Sequence, residues 1–162
     1  MSISVGDKLP DGKFLVIGDE GPGSVTVAEA TADKKVVLFG LPGAYTSTCT
    51  SAHMPSFIRT AEALHSKGVD DIICFSVNDP FVMQSWAKET GADLAGIKTF
   101  ADADGSFTKA IGLDFSAEVV GFFGRAKRHA MVVEDGTVRV LNIDENPGEC
   151  NLSAGEAVLD ML

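Results

Sequence analysis

A cysteine framed by hydroxyls is the residue in this chain best placed to do chemistry. In the stretch GLPGAYTSTCTSAHMPSF, residues 40–57, Cys49 follows Thr46, Ser47 and Thr48 and precedes His53 and Pro55. An apolar run ends at Pro42-Gly43 and a helical pattern begins near residue 48, so Cys49 falls at the mouth of a helix. Free backbone N–H groups and the positive end of the helix dipole favour a thiolate there, and the thiolate is the nucleophilic form of cysteine. Thr46 is spaced to hydrogen-bond toward the sulfur or toward whatever the sulfur attacks. Pro42 and Gly43 turn the chain back over the site, and a proline ring walls off water without offering an N–H. On residues alone, Cys49 is either such a reactive thiol or a small packed apolar residue.

His53 lies four residues beyond Cys49 and shares a helix face with it. A Cys-x-x-x-His pair supplies two metal ligands where structural zinc takes four. His65 and His129 have no ligand-like neighbours in sequence. No metal or other cofactor is therefore expected, and His53 reads as a packing and hydrogen-bonding residue around the active-site loop.

These residues need a scaffold, and hydrophobic periodicity outlines one. Residues 13–18 and 24–28 read as short strands around a Gly21-Pro22-Gly23 loop, and 35–41 as a buried strand ended by Pro-Gly. Apolar residues recur at helical spacing over 48–67, with Pro55 kinking that helix or ending its first segment and Gly68 stopping it. Residues 71–77 form a second buried strand. Asn78-Asp79-Pro80 then offers an N-cap with Pro at the first position of a helix running to Gly91. A short strand at 99–101, a brief helix ending at Gly112 and a hairpin around Asp135-Gly136 follow. Ser153 is read as the cap of a last helix over 156–162. Strand–helix–strand crossovers imply parallel pairing. The expectation is an α/β domain over residues 1–162: a mixed central sheet with helices on both faces and an N-terminal strand extension, fitting a thioredoxin-like fold.

The bulk numbers exclude some functions. The chain has 162 residues, 45% of them hydrophobic, with a net charge of −10. That charge argues against nucleic acid and anionic membrane surfaces as partners. No basic segment followed by an apolar one stands at the N-terminus, and Cys49, Cys74 and Cys150 are too few and too widely spaced for a secreted disulfide framework. A reducing cytoplasm is the expected location.

PGAYTSTCTSAHMPSF resembles the active-site stretch of the peroxiredoxins, whose signature Pro-x-x-x-Thr-x-x-Cys is matched by Pro42, Thr46 and Cys49. The residues 42–44 and 53–57, with SVNDPFVMQSWAKETGA, FADADGSFTKAIGL, RAKRHAMVVEDGTV and the tail around Cys150, are similar to the type II or atypical subfamily along essentially the whole chain. Ser47 stands where that subfamily usually has Pro, and Tyr45 where Phe is common. The resemblance implies a thiol-dependent peroxidase that reduces hydrogen peroxide and alkyl hydroperoxides through a sulfenic acid at Cys49, in antioxidant defence. It implies that Arg128 reaches the sulfur from a distant strand, lowering the thiol pKa and holding the peroxide oxygens; nothing else separates Arg128 from Arg125 or Arg139, and removal of Arg125 is expected to matter little. Arg128, the Thr46 hydroxyl and backbone N–H groups would serve as donors to the charge developing on the leaving oxygen. It further implies a homodimer joined near the active-site loops, with Phe81, Phe115 and Phe122 at the pocket mouth or the dimer contact. The reductant is expected to be glutathione with glutaredoxin, or thioredoxin. An external thiol ranks first as resolving group, then Cys74, with Cys150 also open. A disulfide oxidoreductase fits poorly because the chain has no C-x-x-C. The alternative class is a redox sensor or partner-binding protein that uses Cys49 as a switch without turnover.

Overall fold

The computed structural model describes residues 2–162 and contains nine strands and five α-helices among them. Seven strands form one sheet in the order β2-β1-β5-β4-β3-β8-β9. At its centre β3 (Lys35–Gly40) and β4 (Asp71–Ser76) are parallel, as are β4 and β5 (Lys98–Ala101). The flanks are antiparallel: β1 (Lys13–Gly18) with β2 (Gly21–Thr26) on one side, β8 (His129–Glu134) with β9 (Thr137–Ile143) on the other.

The central strands are apolar on both faces because helices cover both. Alternation divides their side chains between two cores. Val37, Phe39, Ile72, Cys74, Ala130 and Val132 point to the layer holding α2 (Met54–Ser66), α3 (Pro80–Thr90) and α5 (Gly155–Leu159). Val36, Leu38, Ile73, Phe75, Met131 and Val133 face the layer with α1 (Val27–Thr31) and α4 (Ser106–Ala110). Each β-strand residue thus alternates layers with a period of two.

The start signal for α3 acts as read: Asp79 accepts from Val82 N at 2.9 Å, Pro80 opens the helix, and Gly91 closes it in the left-handed region at φ 84°. Other boundaries differ. The Gly21-Pro22-Gly23 segment is the first half of β2, and the strand stops at Thr26, whose hydroxyl caps α1 in a capping box with Glu29. Ser153 does not cap α5: Ala154 occupies that position, and the Ser153 hydroxyl is bonded to Asp144 instead. A second, two-stranded sheet, β6 (Asp114–Ala117) with β7 (Phe122–Ala126), has no counterpart in the sequence expectations.

His129 opens β8 and is buried against Phe75, with Nδ1 donating to Lys127 O at 2.7 Å and Nε2 unpartnered among the described residues. Burial pushes its imidazole down to about 4. The unfolded chain takes up this proton near pH ~6.5 and the folded chain only near the lower value. Stability present above that upper limit therefore drains away as pH falls through the interval, by about 3 kcal/mol for this group. Urea unfolding at pH 7 and pH 4.5 is expected to show that loss, and His129→Asn, which keeps the donor to Lys127, is expected to remove much of it.

Candidate active site

The register of two strands assembles the site. β3 and β8 are antiparallel with Gly40 opposite His129, so the loop leaving β3 and the residue preceding β8 meet at the same sheet end. The approach is close: a Cβ on Gly40 would stand 2.5 Å from His129 Cε1 and 2.7 Å from the Phe75 ring. Arg128 therefore lies beside the segment carrying Cys49, although 79 residues separate them.

Cys49 opens a π-helical turn, Cys49–His53, that runs directly into α2. Met54 N bonds Cys49 O in the wider turn, and Pro55, which has no N–H to offer, follows at once. The turn is tied to α3 by Trp86 Nε1, which donates to Thr50 Oγ1 at 3.1 Å. The loop before it is held by Ala44 N donating to Asn78 Oδ1 at 3.0 Å. Tyr45 sits in the left-handed region at φ 68°, a conformation costly for a bulky residue, and its hydroxyl meets Ser85 Oγ at 2.6 Å.

Cys49 is fully buried, and Arg128 Nη2 donates to its sulfur at 3.2 Å. The same nitrogen donates to Pro147 O at 3.0 Å, and Nη1 lies 3.0 Å from His53 Nδ1. Arg128 is itself only 1% exposed, yet none of the ion pairs among the described residues gives it a carboxylate partner. Thr46 differs from expectation. Its hydroxyl donates to Gly43 O at 2.6 Å rather than to the sulfur, and its carbonyl accepts from Thr50 N at 3.0 Å. The hydroxyl proton is committed to Gly43 O, so Thr46 Oγ1 is left to act as an acceptor, not as the donor the sequence suggested.

A cavity of about 390 Å³ opens above these groups. Thr46 and Arg128 line it from the reactive side, Pro42, Ser47 and Thr48 from the loop, and Ala117, Val120 and Phe122 from the β6–β7 hairpin. A wall of this apolar character accepts the carbon portion of a small molecule whose polar end reaches the guanidinium. Of the three aromatic residues assigned to the mouth, Phe122 lines this cavity, Phe115 lines a smaller one behind Arg128, and Phe81 projects into solvent.

Arg125 was missed by sequence reasoning. Its Nη1 donates to Pro42 O at 2.9 Å, and its guanidinium carbon lies 5.3 Å from the centre of the Phe122 ring. It clamps the proline loop to the hairpin wall, a stronger role than a solvated surface charge. Only the fold places it there. Asp144 was missed as well: its carboxylate accepts from Asn151 N, Leu152 N and Ser153 N, each at 3.0 Å, and from Ser153 Oγ. Burial works against its ionisation, but the Ser153 hydroxyl and these backbone donors outweigh it and hold the carboxyl below its ordinary value.

All three cysteines are free. Cys74 is buried in the middle of the sheet opposite Phe39, in the same apolar layer as Cys49. Burial, reinforced by Cys49, pushes its thiol well above the ordinary range. Cys150 is half-buried in the turn before α5, and burial raises its thiol too, with Arg128 pulling the other way. No three of His, Cys, Asp and Glu gather in a metal-binding group among the described residues.

Comparison with known proteins gives a consistent result. The Redoxin family model matches residues 4–159. Peroxiredoxin-2D of Arabidopsis thaliana is 44% identical over 161 residues, covering 99% of this chain and 98% of its own. The chloroplastic peroxiredoxin-2E-2 of Oryza sativa subsp. japonica is 44% identical over 165 residues, covering 99% of this chain and 73% of its own. Reduced Prx3 of Vibrio vulnificus, in complex with hydrogen peroxide, superimposes with a TM-score of 0.91 at 41% identity and covers 98% of both chains. These neighbours share the thioredoxin-like architecture. Relatives of such identity, matched almost end to end, place the chain in the peroxiredoxin family, so that it is a thiol-dependent peroxidase with a peroxide as substrate and a thiol as reductant.

Proposed function

We propose that Cys49 is the peroxidatic thiol, supported by Arg128, Thr46 and Pro42, of a single-domain cytoplasmic enzyme that works as a homodimer. The observation that carries the assignment is the Arg128–Cys49 contact at 3.2 Å between two buried groups. An arginine is always charged, and a buried charge needs an opposite one or dense hydrogen bonding. The Cys49 sulfur accepts from this guanidinium and is the group in contact with it that can carry the opposite charge.

The reaction follows from the geometry. The thiolate attacks one peroxide oxygen; an S–O bond forms as the O–O bond breaks, sulfur loses two electrons, and the leaving oxygen departs as water or an alcohol after taking the peroxide proton. Thr46 Oγ1, with its own proton engaged at Gly43, accepts the hydroxyl of the incoming peroxide. Arg128 stabilises the charge gathering on the leaving oxygen. The apolar hairpin wall of Ala117, Val120 and Phe122 suits alkyl hydroperoxides as well as hydrogen peroxide.

Two external thiols then reduce the sulfenic acid, releasing water and leaving a disulfide between them. Glutathione with glutaredoxin is the preferred source, thioredoxin the second. An internal partner would have to break out of the fold. Cys74, locked in the central strand, is disfavoured on that ground, and Cys150, in a turn, becomes the better of the two. Exposed Val119, Val120 and Phe123 beside the cavity, with Phe81 and Tyr45 on the neighbouring segments, favour a dimer contact on this face. Continuous consumption of hydrogen peroxide with glutathione and glutaredoxin, exceeding that with thioredoxin, is the expected result. Oxidation of one equivalent followed by arrest with every reductant would instead favour the sensor.

A further inference from the structure

Arg128 must be aimed, and few acceptors are available to aim it. Nη2 is shared between Cys49 Sγ and Pro147 O, Nη1 meets His53 Nδ1, and Nε has no partner among the described residues. The Nη1 contact fixes the state of the imidazole. A guanidinium only donates, so Nδ1 must present a lone pair. On the other side of the ring, Nε2 lies 3.1 Å from Ser153 O, which only accepts, so Nε2 carries the proton. Both contacts require the same neutral tautomer.

We propose that His53 is a positioning residue of the peroxidase centre: as the neutral Nε2–H tautomer it is oriented by the Ser153 carbonyl, and it turns the Arg128 guanidinium so that Nη2 faces the Cys49 sulfur. The ring is fully buried, with Phe39 at 5.0 Å and Phe57 at 5.7 Å between centroids restricting its rotation. Burial first, and the Arg128 charge second, hold the imidazole well below its ordinary range, in keeping with a neutral ring.

The Ser153 carbonyl is fixed in turn. Asp144 gathers the N–H groups of residues 151–153, and Gly155 N donates to Ser56 Oγ at 2.9 Å. Pro147, the second acceptor on Nη2, belongs to the same segment. Residues 144–153 thus reach the sulfur by two routes that converge on one guanidinium, one direct and one through His53.

The proposal rests on the Cys49–Arg128 reading, and its test separates the two. Asn at position 53 places an acceptor where Nδ1 stands; Gln places its amide where Nε2 stands. In single-turnover oxidation by hydrogen peroxide, followed through the one tryptophan, Trp86, whose indole bonds Thr50, His53→Asn is expected to stay within about ten-fold of wild type. His53→Gln and His53→Ala are expected to fall about 100-fold, the size of effect a misplaced catalytic group produces. Equal losses in the Asn and Gln variants, or a wild-type rate in His53→Ala, would overturn the proposal. A readout on the wild-type protein covers variants that fail to fold. Its imidazole ¹⁵N spectrum at pH 7 should show a protonated Nε2 and an unprotonated Nδ1 at His53, and the opposite tautomer or a cation overturns the proposal regardless of activity. Failure of the underlying reading would appear earlier, as absent Cys49 oxidation in wild type.

Discussion

Arg128→Ala is expected to slow the first oxidation of Cys49 by about 1,000-fold, because one substitution removes a charge and several preorganised donors together. The guanidinium bonds the sulfur, Pro147 O and His53 Nδ1 at once. Alanine leaves the sulfur without its donor and the leaving oxygen without stabilisation. Arg128→Lys separates charge from shape. A lysine keeps the cation but not the planar fork, so it cannot serve these acceptors in fixed directions, and a loss of about 100-fold is expected from it. Stopped-flow oxidation, with thermal unfolding of each variant as control, measures both. Near-wild-type rates in Arg128→Ala would remove the guanidinium from the mechanism. Arg125→Ala is expected to fall between: it frees Pro42 O and loosens the loop without touching the sulfur.

The second large effect concerns stability. Gly155→Ala is expected to destabilise the chain by about 3 kcal/mol, the upper part of the range for overpacking. An added Cβ would stand 2.5 Å from Ser56 O and against the Thr60 hydroxyl. One of these is backbone of α2, so α5 must move away from α2 to relieve the clash. That movement also breaks the bond from Gly155 N to Ser56 Oγ and shifts the Ser153 carbonyl that orients His53. A drop in melting temperature of about 10 °C is expected, with slower peroxide reduction at temperatures where the variant remains folded. A melting temperature equal to wild type would show that this helix contact yields freely.

The sequence exposed the parts of the site that depend on local chemistry. The apolar run of β3 ending at Pro42-Gly43, the Asp79-Pro80 start of α3 and the Asp135-Gly136 hairpin are each written in adjacent residues, and the structure keeps them. Cys49 at a helix mouth was legible for the same reason, and a break near Pro55 was too, although the π-helical form of the Cys49–His53 turn was not. The β6–β7 hairpin was not. β6 is only four residues long, β7 is broken by Gly124, and the two half-exposed strands pair only with each other, so the Asp-Phe-Ser-Ala alternation of β6 is too short a signal and β7 carries none. Yet they build one wall of the cavity.

Hydrogen-bond direction was equally hidden. Nothing in the spacing of Thr46 says that its proton goes to Gly43 O, or that Ser153 serves Asp144 instead of a helix end. Arg128 came from family resemblance, since its nearness to Cys49 arises from the pairing of Gly40 with His129 across the sheet. Arg125, Asp144 and Gly155 act through contacts between residues roughly 7 to 100 positions apart, which no local pattern encodes.

The most direct measurement is to add one equivalent of hydrogen peroxide to the Cys74→Ser/Cys150→Ser protein in the presence of a diketone trap for sulfenic acid, and to map the adduct by mass spectrometry. A single adduct at Cys49, formed within seconds and absent from Cys49→Ser, is the predicted result. Peroxide left unconsumed, or consumed equally by Cys49→Ser, would contradict it.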